Sequence, residues 1–165
     1  MSRWRPPVPK SSPYITPEGE KALKNELQEL WQLRRRDVVP ALQAAAAEGD
    51  RSENAEYIYR KKQLGQIDRR IRYLSKRLDI IEVIDRKPPN REKVYFGATV
   101  TLESEQGEEF EYRIVGADEI DPARSHISVD SPVARALLGK VIDESVQVEL
   151  PEGSLKLLIL NVDYK

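Results

Sequence analysis

Leu64, Ile67, Ile71, Leu74, Leu78 and Ile81 alternate by three and four without a break. A heptad seam of this kind suits a helix, and its narrow apolar stripe needs a partner surface of the same width. The chain carries that partner upstream. Thr16 can cap a first helix, Pro17 suits its first position, and Glu18 and Glu20 complement its positive end. Leu23, Leu27 and Leu30 follow at four-three spacing, and after Arg34-Arg35-Arg36 the phase shifts to Val38, Leu42 and Ala45. Pro40 falls inside this segment and is expected to kink it, because it lacks a backbone donor and crowds the preceding turn. Pro88-Pro89 ends the second helix. Two such helices joined by a short turn form an antiparallel hairpin in which each seam buries the other. About 32 residues a side give an arm of about 45–50 Å. On a chain of 165 residues an arm that long projects into solvent or into another molecule.

Beyond Asn90 the apolar period falls toward two. "VYFGATVTLES" and "EFEYRIVG" flank Gln106-Gly107 as a hairpin, and "HISVD" is a short strand. "SPVARALLGK" is a short helix with Ser131 as cap, Pro132 at the first position and Gly139 as terminator. "VQVELPEGSLKLLILNVDY" closes the chain as a hairpin around Pro151-Glu152-Gly153. The expectation is an α+β chain of two domains: a disordered Pro- and Ser-rich tail over 1–13, a coiled-coil hairpin over 14–87, and a β-rich domain with one short helix over 88–165. Charge divides with the pattern. Residues 1–90 carry 19 Lys and Arg against 13 Asp and Glu, and residues 91–165 carry 8 against 15, which suggests different partners for the two parts. With 33% charged residues and a mean hydropathy of −0.60 the chain reads as soluble and polar. No apolar run approaches the roughly 18 residues that span a bilayer. The N-terminus lacks the apolar core of a secretory signal. The absence of cysteine excludes disulfides and thiolate metal sites and fits a cytoplasmic home.

The turn of the arm is "AAAAEGDRSENAEY", residues 44–57. Asp50, Glu53 and Glu56 crowd it with almost nothing apolar beside them. Asp50 can be a plain N-cap with Glu53 completing a capping box. Alternatively, Asp50 and Glu53 present two carboxylates to one side and hold a divalent cation. Two are too few for a tight site of the chain's own, but enough to share an ion with a second macromolecule that already holds phosphates.

The second helix adds a direction. Residues 60–77 contain eight Lys and Arg and one acid, Asp68. Lys62, Arg69 and Lys76 fall on the row opposite the seam, with Arg70 and Arg77 beside it. The stripe is either an ordinary solvated face or a surface for a polyanion such as RNA. Trp31 and the tyrosines read as core or seam rather than as a base-stacking platform, and His126 as a strand-edge residue rather than a base.

"GDRSENAEY" followed by "IDRRIRYLSKRL", with "FGATVTLES", "YRIVGADEID" and "ISVDSPVARALLGK" downstream, resembles the bacterial Gre transcript-cleavage factors. The resemblance runs from about Tyr14 to Lys165, and the basic second helix looks most like the GreB branch. It implies a coiled coil that enters the secondary channel of a backtracked bacterial RNA polymerase. There Asp50 and Glu53, with Glu56 as a third candidate, would help bind a Mg²⁺ at the polymerase active site and stimulate cleavage of the displaced nascent RNA. The chain itself would not be the enzyme. The resemblance further implies that Arg51, Ser52, Asn54 and Tyr57 support the tip, and that Lys62, Arg69, Arg70, Lys76 and Arg77 contact RNA. It also implies an FKBP-like C-terminal domain that docks at the channel rim through Asp130, Ser131 and Pro132, in a factor acting as a monomer. Two other classes stand beside it. A prolyl isomerase is suggested by the FKBP-like domain, although a fold confers no activity. A channel-binding regulator without cleavage activity would share the architecture but lack a tip acid, and here both are present.

Overall fold

A computed structural model of the chain describes residues 10–49, 53–85 and 87–164. By contacts it divides into two units, Glu20–Ile81 and the combination of Met1–Gly19 with Glu82–Lys165.

The helical unit is the hairpin. Its first side runs as α1 (Pro17–Leu33), a π-helical turn (Arg34–Val38) and α2 (Val39–Ala46); its second is α3 (Ala55–Ile80). The seam residues meet as the spacing requires: Val38, Ile67 and Ile71 are buried together, with Leu27, Leu30 and Leu64 packed against them. Pro40 does not end the helix. The chain widens just before it, and Val39 N–H bonds back five residues to Arg34 O. The extra residue in that turn relieves the crowding that the proline ring imposes on the preceding carbonyls. The second helix starts later than expected, at Ala55, and its cap is Asn54 in place of Asp50. Trp31, Tyr59 and Tyr73 are 44%, 59% and 43% exposed, so these aromatics are not core. A narrow seam between two helices has no room for them.

The other unit is a five-stranded sheet ordered β5-β4-β3-β7-β6. Its strands are β3 (Thr99–Ser104), β4 (Glu109–Val115), β5 (His126–Ser128), β6 (Ser145–Leu150) and β7 (Gly153–Asp163), with helix α4 (Pro132–Leu137) between β5 and β6. Neighbours run antiparallel except β4 and β5, which are parallel. Alternation places Val146 and Val148 of β6 and Leu157 and Ile159 of β7 on the buried face with Val100, Leu102, Ile114 and Leu137. The register of β7 on β3 shifts by one between Thr101 and Leu102. That bulge reverses the parity of β7 and returns Val162 to the core three residues after Ile159. Gly139, at φ +82°, ends α4 in a conformation that costs glycine little.

Two further strands were not legible from the period. β1 (Tyr14–Ile15) pairs in parallel with β2 (Glu82–Val83). Pro13 O accepts from Glu82 N at 2.8 Å and Ile15 O from Ile84 N at 2.9 Å. Order therefore begins before Tyr14, inside the tail expected over 1–13. Thr16 caps α1 as expected, its Oγ1 accepting from Gly19 N at 3.1 Å. Among the described residues no helix is long and apolar enough to cross a membrane.

Candidate functional site

The arm reverses over a few residues. After α2, Ala47 N bonds Gln43 O and Glu48 N bonds Ala45 O, each at 3.2 Å. Gly49 then takes φ +123°, a backbone region that a side chain would strain. Asp50, Arg51 and Ser52 lie outside the described residues. On the returning side Asn54 joins both helices with one side chain. Its Oδ1 accepts from Tyr57 N at 3.1 Å, capping α3, and its Nδ2 donates to Ala45 O at 2.7 Å, satisfying a carbonyl at the end of α2.

This clamp sorts the acids. Glu53 immediately precedes the cap, is exposed, and has no ion-pair partner among the described residues. Glu56 sits in the first turn of α3, where its carboxylate accepts from Arg60 Nε at 2.8 Å. Arg60 in turn donates to Gln63 Oε1 at 3.1 Å and lies over the Tyr59 ring. Glu56 is thus committed to its own helix, and Glu53 is the described tip acid left to face outward. Tyr57 carries Lys61 Nζ 5.9 Å above its ring. No group of three or more Asp, Glu or His among the described residues could hold a metal. The donor set does not make a resident metal site, whereas hard, exposed carboxylate oxygens fit an ion whose other ligands come from elsewhere.

The basic stripe divides. Lys62, Arg69 and Lys76 are exposed, as the spacing predicts. Arg70 forms a bidentate pair with Glu26 across the hairpin at 2.7 and 3.0 Å and covers the Tyr73 ring. Arg77 contradicts its placement on the outer face: only 6% of it is exposed. It lies three residues after Leu74, on the flank of the seam.

In the sheet unit Asp130, Ser131 and Pro132 form the loop into α4. Ser131 Oγ accepts from Ala134 N at 3.2 Å as the helix cap, and Pro132 fills the first position. Asp130 is engaged by Ser12, whose N donates to Oδ2 at 2.9 Å and whose Oγ donates to Oδ1. Nothing in the period pointed to Ser12; an extended "SSP" before a strand was the only signal. His126 opens the edge strand β5, and burial, then the nearby Arg124 and Arg113, hold its pKa below the ordinary histidine value.

Comparison with known proteins decides the family. Residues 13–83 match the family described as "Transcription elongation factor, N-terminal", and residues 88–164 match "Transcription elongation factor, GreA/GreB, C-term". The chain belongs to the GreA/GreB transcription elongation factors. Within that family it is GreB-like. It is 59% identical to the transcription elongation factor GreB of Xanthomonas axonopodis pv. citri, covering 99% of this chain and 98% of the relative. It is 52% identical to the GreB of Pseudomonas aeruginosa, again over 99% and 98%. To the GreB of Pasteurella multocida it is 54% identical over 93% of this chain and 98% of the relative. The two family segments meet between Val83 and Pro88, just after β2.

Proposed function

We propose that this GreB-like factor binds bacterial RNA polymerase in the cytoplasm, enters its secondary channel with the arm, and stimulates the polymerase's own Mg²⁺-dependent cleavage of backtracked nascent RNA. The observation that carries the reading is the clamp at the turn. Asn54 ties the end of α2 to the start of α3, and Glu56 is occupied by Arg60, so the hairpin ends in an outward-facing Glu53 that its own helix does not neutralise. A long two-helix arm whose described tip residues include an exposed carboxylate without an ion-pair partner among them is suited to delivering charge into a site built by another molecule.

Each residue has a part in this reading. Asp50 and Glu53 would supply carboxylate oxygens to a Mg²⁺ held mainly by the polymerase and its RNA, and such an ion, when bound, activates water for phosphodiester hydrolysis. Asn54 fixes the height and direction of Glu53, with Arg51, Ser52 and Tyr57 as further tip support. Lys62, Arg69 and Lys76 guide the extruded RNA by its phosphates. Arg70, tied to Glu26, is less available for that task, and Arg77 is withdrawn from it. Asp130, Ser131 and Pro132 dock the sheet unit at the channel rim, with one factor acting per polymerase. The chain would then be no enzyme alone.

The test uses a stalled, backtracked elongation complex with 3′-labelled RNA. Short labelled fragments should be released when the factor and Mg²⁺ are added. Asp50→Asn and Glu53→Gln should each reduce release more than about tenfold, the lower bound for disturbing groups around a metal. Binding to polymerase should be retained, and raised Mg²⁺ should partly restore the single variants. Undiminished cleavage by the double variant would overturn the tip assignment.

A further inference from the structure

Trp31 stands on α1 with 44% of its surface exposed. One flank is a shallow groove bordered by Lys24 and Arg35. The other is a groove of about 620 Å³ between the two sides of the hairpin, reaching down to Ile71 and bordered by Arg34, Arg72 and Lys76. The indole has a cation on one side. The Arg34 guanidinium lies 5.8 Å from its ring centroid, and Arg34 Nε donates to Asp68 Oδ1 on α3 at 2.8 Å.

The charges around the ring are one-sided. Asp68 pairs with Arg34 and Glu20 with Lys24. Arg35, Arg72 and Lys76 have no ion-pair partner among the described residues. Three cations without an ion-pair partner among the described residues, about an open indole, call for a ligand that is both flat-ringed and anionic. A purely acidic surface would use the cations and leave the ring solvated. An apolar surface would use the ring and desolvate the cations at a cost. A single-stranded polynucleotide satisfies both, since each of its units carries a π-face and a phosphate.

We propose that the Trp31 groove is a base-stacking subsite for single-stranded RNA, with Arg35, Arg72 and Lys76 taking the adjacent phosphates. This rests on the reading of the arm as a guide for nascent RNA and deepens it. Lys76 belongs both to the outward row with Lys62 and Arg69 and to the groove, so the subsite continues the phosphate track onto an aromatic. Trp31 lies eighteen residues before Gly49, about 25 Å back along the helix, so the groove meets RNA only when several nucleotides have been extruded.

The experiment uses the full chain carrying Trp4→Phe, which leaves Trp31 as the only tryptophan of the two. It is titrated with an oligoribonucleotide of about ten nucleotides, followed by Trp fluorescence and by anisotropy of labelled RNA at several salt concentrations. Stacking should quench Trp31, and Trp31→Ala should weaken binding about tenfold while Trp31→Phe keeps most of it. Changing Arg72 and Lys76 together to Gln should lower the salt slope by about 1.4. The proposal is overturned if RNA binds without quenching. It is overturned equally if an abasic oligomer or polyglutamate quenches Trp31 as strongly as RNA does, meaning a polyanion or acidic protein surface. Concentration-dependent self-association that quenches the ring without RNA would assign the groove to a second copy instead. The two readings separate: quenching that survives alongside undiminished cleavage by Glu53→Gln removes the tip assignment alone. Loss of cleavage in that variant without any quenching removes the subsite alone.

Discussion

The helical and sheet units bury apolar side chains in different ways. In the arm Val38, Ile67 and Ile71 are buried between two helices, with Leu27, Leu30 and Leu64 packed against them. In the sheet unit β3, β4, β6 and β7 with α4 enclose a continuous cluster from Val94 to Val162. A seam has two walls and a core has many, so a hole in a seam can close by a small helix shift while a hole in a core stays open. The same geometry frees most of the arm's surface to carry charge.

The comparison breaks most sharply by truncating one fully buried residue in each unit. Leu157→Ala removes a side chain at 0% exposure from the middle strand side of the sheet and should cost about 2–5 kcal/mol. Ile71→Ala, at 5% exposure in the seam, should fall at or below the lower end of that range. Urea unfolding of each variant, followed by far-UV dichroism, ranks them. The reverse order would mean that the arm is the better packed of the two.

Asn54 gives a smaller but sharper division, because one side chain serves both arms of the hairpin. Removing it as Asn54→Ala should cost about 1 kcal/mol through the cap and should also release the Ala45 carbonyl. Asn54→Asp keeps an oxygen for Tyr57 N but loses the donor to Ala45. Helix content and thermal midpoint should therefore recover in Asn54→Asp, while cleavage stays depressed because Glu53 is no longer fixed against α2. Recovery of both would reduce Asn54 to a cap.

That residue also marks how far the sequence could be read. The heptad on α3, the Ser131-Pro132 start of α4 and the hairpins of the sheet are local patterns whose spacing contains the answer. The cap of α3 was harder, since Asp50, Ser52 and Asn54 are all competent caps and only the Ala45 carbonyl across the turn favours the last. The pairing of β1 with β2 joins segments more than sixty residues apart, and two-residue strands have no period. The burial of Arg77, 6% exposed, depends on its surroundings in the fold, which a row count along α3 does not contain. Among the acids the pattern offered Asp50 and Glu53 as a pair and Glu56 as a third candidate or a helix-start charge. Arg60, one turn beyond Glu56, is what distinguishes Glu56 from Glu53.

In the sheet unit the corresponding question is what occupies Asp130. Two hydrogen bonds from Ser12 meet its carboxylate, and a docking partner that uses that carboxylate must displace them or accommodate Ser12. Ser12→Ala retains the backbone donor and removes the hydroxyl. It should raise affinity for polymerase severalfold, within the range expected for one hydrogen bond to a charged group. Competition binding against the parent chain measures it. Weakened binding would make Ser12 part of the docking surface and not a competitor for it.

The smallest expected effect tests whether the arm's surface charge serves folding or function. Arg70 and Glu26 form a bidentate pair at 2.7 and 3.0 Å, but their side chains are 45% and 38% exposed. Pairs this open contribute about 0–1 kcal/mol, since water and salt screen them and both side chains must be held still. Glu26→Gln should therefore lower stability by less than about 1 kcal/mol, and by less still in high salt. It also removes the acid that holds Arg70, so the guanidinium adds its charge to the face carrying Lys62, Arg69 and Lys76. Binding of single-stranded RNA should tighten modestly, and the slope of log affinity against log salt should steepen by up to about one. If stability fell by several kcal/mol with no change in RNA affinity, the cross-arm pair would be a structural brace, and the surface of the arm would be tied to its folding as closely as the core of the sheet.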